Sequence, residues 1–171
     1  ANMNMAEGFE LSQNYTMFWD KLEKANYYLE NILATLDEPV GSRLLNYLLA
    51  NPIQDGGQWD MFVNLIEKYG IVPKTVMPET ESSSSTGQMN DQITGKLREY
   101  ACVIRKAHAS GTSADDLAHL KDRQMSEVYR MLCIHLGEPP TNFEWQWRDK
   151  DKAFMMPVEG VFSIAGRGTV V

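Results

Sequence analysis

Apolar side chains recur every three or four residues along most of this chain, and that spacing limits its possible folds more than any other feature. The spacing matches the 3.6-residue period of an α-helix, so each run places its apolar side chains on one helix face. Such faces must pack against one another to be stable in water. The pattern predicts a mainly helical domain, with helices over residues 11–36, 42–50, 58–69, 89–109 and 113–136.

Residues that favour helix ends mark several of the predicted boundaries. Ser12 and Ser113 can each accept a hydrogen bond from a free backbone N–H group at a helix start. Pro39 stops the first helix because it lacks an N–H donor, and Gly70 stands where a glycine often follows a helix. The run of serines over residues 82–85 is typical of a solvated loop, and we predict a loop there.

The spacing changes after the prolines that follow the last predicted helix. Phe143, Trp145 and Trp147 alternate with polar residues, and a period of two is typical of a half-buried strand. Two further strands are predicted over residues 158–164 and 168–171. The predicted fold class is therefore mainly α, within the α+β group, with a few β-strands at the C-terminal end.

Composition and charge argue against two classes of protein. The formal net charge of −7 and the isoelectric point near 5.0 speak against a nucleic-acid binder, which normally has a basic face. No apolar run approaches the roughly 20 residues that cross a bilayer, so we expect no membrane protein. The two cysteines, Cys102 and Cys133, lie in apolar stretches, and we predict small buried hydrophobic residues in a reducing, cytoplasmic protein.

Residue spacing alone points to no catalytic group. His119 and Asp122 stand three residues apart on a predicted helix, where a surface hydrogen bond is the simplest interpretation. Cys133 and His135 stand two residues apart, so a helix directs them to different sides. No cluster has the spacing of a metal site, and no glycine motif would hold a phosphate. We therefore predict no catalytic residue, no metal and no cofactor.

One segment, residues 54–60, allows a functional interpretation. Gly56 and Gly57 stand side by side just before a predicted helix, where two glycines cost conformational entropy. They can be explained as part of an ordinary loop that leads into the helix. They can also form a backbone rail, in which the N–H and C=O groups of these two residues pair with an extended peptide.

A resemblance to a known family favours the second interpretation. The chain resembles the bleomycin hydrolase family of papain-like cysteine peptidases, in its bacterial aminopeptidase C branch, over about residues 3–152. Long ungapped motifs of this kind are specific. The motifs that carry the resemblance are DGGQWDMF at 55–62, EKYGIVPK at 67–74, FELSQNYT at 9–16, FWDK at 18–21, MPET at 77–80 and LGEPP at 136–140.

The resemblance implies a cytosolic thiol peptidase that removes residues from peptide N-termini and assembles as a hexamer. It implies that Gly56 and Gly57 bind the substrate backbone, and that Asp55 and Trp59 shape the wall beside them. The family's nucleophilic Cys and oxyanion-hole Gln belong upstream of Phe9, and its His and Asn belong well beyond residue 152. We therefore expect residues 1–152 to be a partial, helical peptidase domain that is inactive on its own.

The last residues have a different resemblance. Residues 154–171 resemble the opening β-hairpin of the second domain of elongation factor Tu, which carries no nucleotide site. This predicts a chimeric chain with a foreign tail at 153–171 and a junction near 149–153; a diverged peptidase insertion is the alternative. In a second functional hypothesis, the chain is a non-enzymatic scaffold or interaction protein whose tail pairs with a sheet edge of another chain.

Overall fold

The computed structural model describes residues 9–148 and 155–159, with side chains described for residues 9–143. This part of the chain is mainly helical, as predicted. Its elements are α1 (Gln13–Ala34), α2 (Arg43–Ala50), α3 (Trp59–Tyr69), α4 (Glu81–Ser84), α5 (Gly87–Ala109), α6 (Ala114–Leu136), β1 (Glu144–Arg148) and β2 (Met155–Glu159).

The three long helices α1, α5 and α6 pack against one another and enclose the core. Their facing stripes carry branched and aromatic side chains at helical spacing, so a single buried face forms on each helix. Burial of each such side chain contributes about 1.5–3 kcal/mol. The core side chains with no exposed surface include Phe18, Leu29 and Ile32 from α1, Ile93, Leu97 and Ile104 from α5, and Val128 and Leu132 from α6.

Two arginines of α5 stabilise the C-terminal ends of the neighbouring helices. Arg98 donates to the carbonyls of the last two residues of α2, at 2.9 and 2.8 Å. Arg105 donates to the carbonyl of Thr35 at 2.8 Å and to that of Glu38. Carbonyls at a helix end have no partner within the helix, so these guanidinium groups satisfy acceptors that would otherwise need water.

The predicted helix ends are confirmed at most positions. The Ser12 hydroxyl accepts from the Tyr15 N–H, and Ser113 caps α6 in the same way. Gly70 follows α3 with a φ of 76°, a conformation that side chains disfavour. The first helix ends at Ala34, two residues before the predicted end.

The prediction of a loop over residues 82–85 was wrong for residues 82–84, whereas Ser85 lies outside the helix. Glu81–Ser84 form the short helix α4, which begins with a reciprocal pair of hydrogen bonds. The hydroxyl of Thr80 accepts from the Ser83 N–H at 3.1 Å, and the hydroxyl of Ser83 accepts from the Thr80 N–H at 2.8 Å. These bonds satisfy two backbone donors, so a serine-rich segment can form one helical turn.

The cysteine prediction was also wrong in part. Cys102 is exposed and Cys133 is half-buried. On α5 the buried side chains near Cys102 are Tyr100, Ala101 and Ile104, so Cys102 lies on the opposite side of the helix. The apolar run that suggested burial goes around the helix rather than along one face.

The two strands pair antiparallel, with Glu144 opposite Glu159 and Arg148 opposite Met155. β1 begins one residue after the predicted strand start at Phe143. The strands predicted over 158–164 and 168–171 are not confirmed, because residues 160–171 lie outside the described part of the chain. The predicted junction near 149–153 also lies outside it.

Asn14 ties three segments of the chain together. Its side chain has no exposed surface and donates to the carbonyl of Pro78 at 2.8 Å and to that of Leu136 at 2.7 Å. One amide group therefore joins the start of α1 to the segment before α4 and to the end of α6. A buried carbonyl that loses its donor costs about 1–3 kcal/mol.

We expect Asn14→Ala to lower the free energy of unfolding by about 2–3 kcal/mol, because both carbonyls lose their donor. Urea unfolding of the chain measures the change. Asn46→Ala is the matched control, because exposed Asn46 also donates to a backbone carbonyl, that of Gly41 at 3.2 Å. Equal losses in the two variants would contradict a special role for Asn14.

Candidate functional site

A cleft of about 600 Å³ lies between the first half of α1 and the start of α3. Asp55, Gly57 and Trp59, three of the four predicted site residues, line it. The fourth, Gly56, lies in the same loop, next to Gly57. Most of the exposed surface of the whole wall is apolar, and the apolar residues include Met17, Met61, Phe62, Leu65 and Ile71.

Helix α3 is fixed to α1 at its C-terminal end. The ring of Tyr69 stacks on that of Trp19, with centroids 3.9 Å apart and an interplanar angle of 8°. The hydroxyl of Tyr69 donates to Glu23, and the hydroxyl of Tyr15 donates to the Tyr69 carbonyl at 2.7 Å. Burial and the carboxylate of Glu23 raise the pKa of Tyr69, so its hydroxyl remains a donor.

The N-terminal end of α3 is exposed by contrast. Trp59 is 74% exposed, and its ring centroid lies 5.6 Å from that of Phe62. No residue of α3 is fully buried, although the helix carries the predicted apolar stripe. This chain therefore offers a large aromatic surface at the cleft, beside the two glycines.

A buried lysine holds the loop before α3. Lys21 is 1% exposed, and its ammonium group donates to the carbonyl of Ile53 at 3.1 Å and to Oδ1 of Asp55 at 2.5 Å. The other oxygen of Asp55 accepts from the hydroxyl of Thr86 at 3.1 Å and from the amide of Asn90 at 3.0 Å. Asp55 thus links α1 to the start of α5.

These contacts change the acidity of Asp55. Burial raises the pKa of its carboxyl group, but hydrogen bonds from Lys21, Asn90 and Thr86, with the charge of Lys21, lower it by more. The pKa of Asp55 therefore lies below its ordinary value. Asp55 is an anionic anchor for the loop at neutral pH rather than a proton donor.

A second lysine of α1 holds the same loop from its exposed side. Lys24 donates to the carbonyls of Gln54 at 2.8 Å and Gly56 at 2.9 Å, and to a carboxylate oxygen of Asp20 at 2.7 Å. Lys21 and Lys24 stand three residues apart, so they lie on neighbouring positions of one helix face. The loop is fixed through its backbone carbonyls.

The fold itself does not require glycine at position 56 or 57. Neither residue has a positive φ. A Cβ atom at Gly56 would meet no atom within 4 Å, and one at Gly57 would lie 3.9 Å from the sulfur of Met61. Within the described residues, the N–H and C=O groups of Gly57 have no hydrogen-bond partner. Gly57 therefore borders the cleft with backbone polar groups that have no partner among the described residues.

The other residues considered for chemistry do not form a site with this cleft. His119 and Asp122 are both exposed on α6. Burial and the charge of Glu138 raise the pKa of the Cys133 thiol, and a hydrogen bond from Tyr129 lowers it less. Within the described part of the chain, no three His, Cys, Asp or Glu side chains converge as metal ligands.

His135 points away from Cys133, as the helical spacing predicted. Its Nδ1 atom lies 3.0 Å from the Ser82 hydroxyl, and its Nε2 atom lies 3.1 Å from the amide oxygen of Gln92. The sequence pattern did not predict these contacts, nor the roles of Lys21 and Lys24. The available signal for Lys21 was its position at the edge of the apolar stripe of α1, where it is buried, whereas Lys24 lies further from that stripe.

No helix among the described residues combines the length and the apolar character needed to cross a bilayer.

We expect Asp55→Asn to lower the free energy of unfolding at pH 7 by about 1–2 kcal/mol, because buried Lys21 loses its counter-charge. The loss stays below that of a fully buried pair, since the Asp55 side chain is 58% exposed and screened by water. Urea unfolding measures it.

The same substitution should change the pH dependence of stability. Because the folded pKa of Asp55 is lowered, its contribution is present above the unfolded value of about 3.9 and is lost as the pH falls through the folded value. The wild-type and Asp55→Asn curves should therefore converge below about pH 4. Asp91→Asn, which removes an exposed carboxylate of α5, should change stability by less than about 0.5 kcal/mol. A gap for Asp55→Asn that persists at low pH would count against the ion pair.

Comparison with known proteins identifies relatives along almost the whole chain. The sequence model of the Peptidase C1-like family matches residues 1–160. Aminopeptidase C of Listeria monocytogenes is 51% identical over 151 residues, which cover 88% of this chain and 34% of that protein. Bleomycin hydrolase of Rattus norvegicus is 45% identical over 150 residues, which cover 86% of this chain and 33% of that protein.

A solved structure agrees with these sequence matches. The crystal structure of PepW from Lactobacillus rhamnosis superposes with a TM-score of 0.86 at 51% identity, covering 90% of this chain and 34% of that chain. The chain thus spans about a third of the length of the relatives it matches.

The resemblance to the bleomycin hydrolase family is confirmed by these matches. The resemblance of residues 154–171 to elongation factor Tu has no support from them, and the family match continues past residue 152 to residue 160. The chain belongs to the Peptidase C1-like family.

Proposed function

We propose that this chain forms one wall of the substrate cleft in a cysteine peptidase that removes residues from the N-termini of peptides. The relatives that match it are named aminopeptidase C and bleomycin hydrolase. In this proposal the helical bundle is part of a papain-like domain, and Gly56 and Gly57 are the backbone rail. The full-length protein would be cytoplasmic and hexameric, as the family resemblance implies.

The observation that carries the proposal is a pair of glycines that the fold does not need. Their φ angles are not positive, and a Cβ atom would fit at either position. An extended peptide that approaches the loop closely supplies the missing reason, because a side chain would separate the two backbones. The free N–H and C=O groups of Gly57 are the pair that such a peptide would use.

The surroundings of the rail suit a peptide. The apolar wall of the cleft provides a place for a substrate side chain, and the exposed ring of Trp59 extends that wall. Asp55 fixes the position of the loop through its bonds with Lys21, Thr86 and Asn90, and in this proposal it does not contact the reacting bond. We therefore assign Asp55 to positioning and Trp59 to the wall of the site.

We expect Gly57→Ala to lower kcat/KM at least tenfold in the full-length peptidase that carries this chain. The added methyl group keeps the substrate from the rail, and two lost hydrogen bonds of about 1 kcal/mol each correspond to a ten- to hundredfold loss. Stability should not fall, because the new Cβ atom has room. Steady-state kinetics and thermal unfolding measure the two effects.

Gly95→Ala is the control for this substitution. Gly95 lies within α5, far along the chain from the rail, and a Cβ atom there meets nothing within 4 Å. This variant should keep its kcat/KM and gain up to about 1 kcal/mol of stability from better helix propensity. Unchanged kinetics in Gly57→Ala would refute the rail.

The proposal also places the nucleophile outside this chain. The raised pKa of Cys133 disfavours the thiolate that attacks a peptide bond, and both ring nitrogens of the nearby His135 have other partners. We expect the purified chain to release no fluorophore from an aminoacyl fluorogenic substrate. Thiol-dependent cleavage that disappears in Cys102→Ser or Cys133→Ser would contradict this part of the proposal.

A further inference from the structure

Lys24 has an unusually complete set of partners for a lysine at the edge of a cleft. Its ammonium group has three N–H donors, and it has three acceptors within 2.9 Å: one carboxylate oxygen of Asp20 and the carbonyls of Gln54 and Gly56. Its side chain is only 12% exposed. Each donor can therefore be assigned to one protein oxygen, and two of the three hold the loop that contains the rail.

Some backbone polar groups of this loop are bound by Lys24, and others have no partner among the described residues. One ammonium group binds the carbonyls of residues 54 and 56, so both carbonyls face α1. Gly57 lines the cleft, and its own N–H and C=O groups have no partner among the described residues. The carbonyl of Gly56 is thus bound to the protein, whereas the N–H and C=O groups of Gly57 remain free for a ligand.

Lys21 does not duplicate this arrangement. It binds the carbonyl of Ile53 and the side chain of Asp55, so it anchors the loop to the core, and among the described residues it forms no hydrogen bond with either glycine. Among the described residues, only Lys24 forms a hydrogen bond to the backbone of the rail itself. Loss of Lys24 would leave the loop anchored at Asp55 but would free the carbonyl of Gly56 to rotate.

We propose that Lys24 is a positioning residue for peptide binding: it fixes the Gly56 carbonyl toward α1, so that the Gly57 N–H and C=O groups face the substrate backbone. This inference rests on the proposed function, since it assumes that the rail binds a peptide. Lys24 touches no substrate in this arrangement and acts through the loop. A pre-oriented backbone binds a peptide more tightly because less ordering remains to be done on binding.

The test compares peptide affinities in the full-length peptidase that carries this chain. The probes are a short unmodified peptide and a series in which each backbone amide of that peptide is N-methylated in turn. Each is measured as a competitive inhibitor of an aminoacyl fluorogenic substrate. N-methylation removes one N–H donor, so the ratio of inhibition constants reports backbone pairing at that amide.

In the wild-type protein, we expect methylation of at least one amide to weaken inhibition about tenfold, the effect of about 1.4 kcal/mol. In Lys24→Met, which keeps the apolar stem, the unmodified peptide should bind at least fivefold more weakly. The penalty for methylation should also fall below twofold. The kcat for the fluorogenic substrate should stay within twofold. The variant weakens binding of the substrate and of the transition state equally, which changes KM and leaves the chemical step unaffected.

Two further variants separate positioning from general damage. Lys24→Arg keeps the charge and several donors and should recover at least half of the lost affinity. Lys96→Met removes the same charge from α5, where Lys96 pairs with Glu99 at 3.0 Å, and should keep both the affinity and the methylation penalty. If Lys24→Met does not fold, Lys24→Gln, which can satisfy one carbonyl, replaces it and should show an intermediate loss.

The outcomes distinguish this inference from the proposed function. A wild-type protein that shows no penalty for any methylated peptide would refute the rail, and the role of Lys24 with it. A wild-type penalty that persists unchanged in Lys24→Met would overturn the role of Lys24 and leave the rail intact. A Lys96→Met variant that loses the penalty equally would assign the effect to overall charge and overturn the inference as well.

Discussion

The burial of one charged group, the ammonium of Lys21, is the constraint on which the site depends. A lysine that is 1% exposed must have its charge balanced and its donors satisfied, because an unpaired buried charge costs several kcal/mol. Asp55 and the carbonyl of Ile53 meet that requirement, and both belong to the loop before α3. The loop is therefore held against the core because the buried charge of Lys21 requires polar partners, and the loop supplies them. The side chain of Ile53, which is 2% exposed and belongs to the core, adds an apolar anchor to the same loop.

The arrangement of the helices follows from where apolar surface is buried. Helices α1, α5 and α6 share one core and form the base of the structure, and Asn14 and the arginines of α5 satisfy polar groups at the ends of this base. Helix α3 lies at the edge of this base. It is held at Tyr69 and exposed at Trp59, so one end is anchored while the other borders the cleft. A binding wall needs both properties, since the groups that contact a ligand have to be exposed and still have fixed positions.

Much of the helical layout was predictable because it depends on local signals. The spacing of apolar residues and the caps at Ser12, Gly70 and Ser113 act within a few residues of one another. The prediction failed where one segment can adopt two local structures. The serine run forms helix α4 because Thr80 and Ser83 bond reciprocally, and Cys102 is exposed because its apolar run surrounds α5. Composition alone does not distinguish these cases.

At the site, too, some features follow from neighbouring residues in the sequence, and others depend on contacts between distant parts of the chain. By itself the sequence determined the helical class, the family and the candidate residues Asp55, Gly56, Gly57 and Trp59, since a motif and a period are both properties of neighbouring residues. Only the tertiary structure decided that Lys21 and Lys24 hold the loop, because their partners lie about 30 residues further along the chain. It also decided which glycine faces the cleft. In our proposal, that choice depends on the binding of the Lys24 ammonium group to the carbonyls of Gln54 and Gly56. Such a contact joins distant segments of the chain, so it exists only once the core has brought them together.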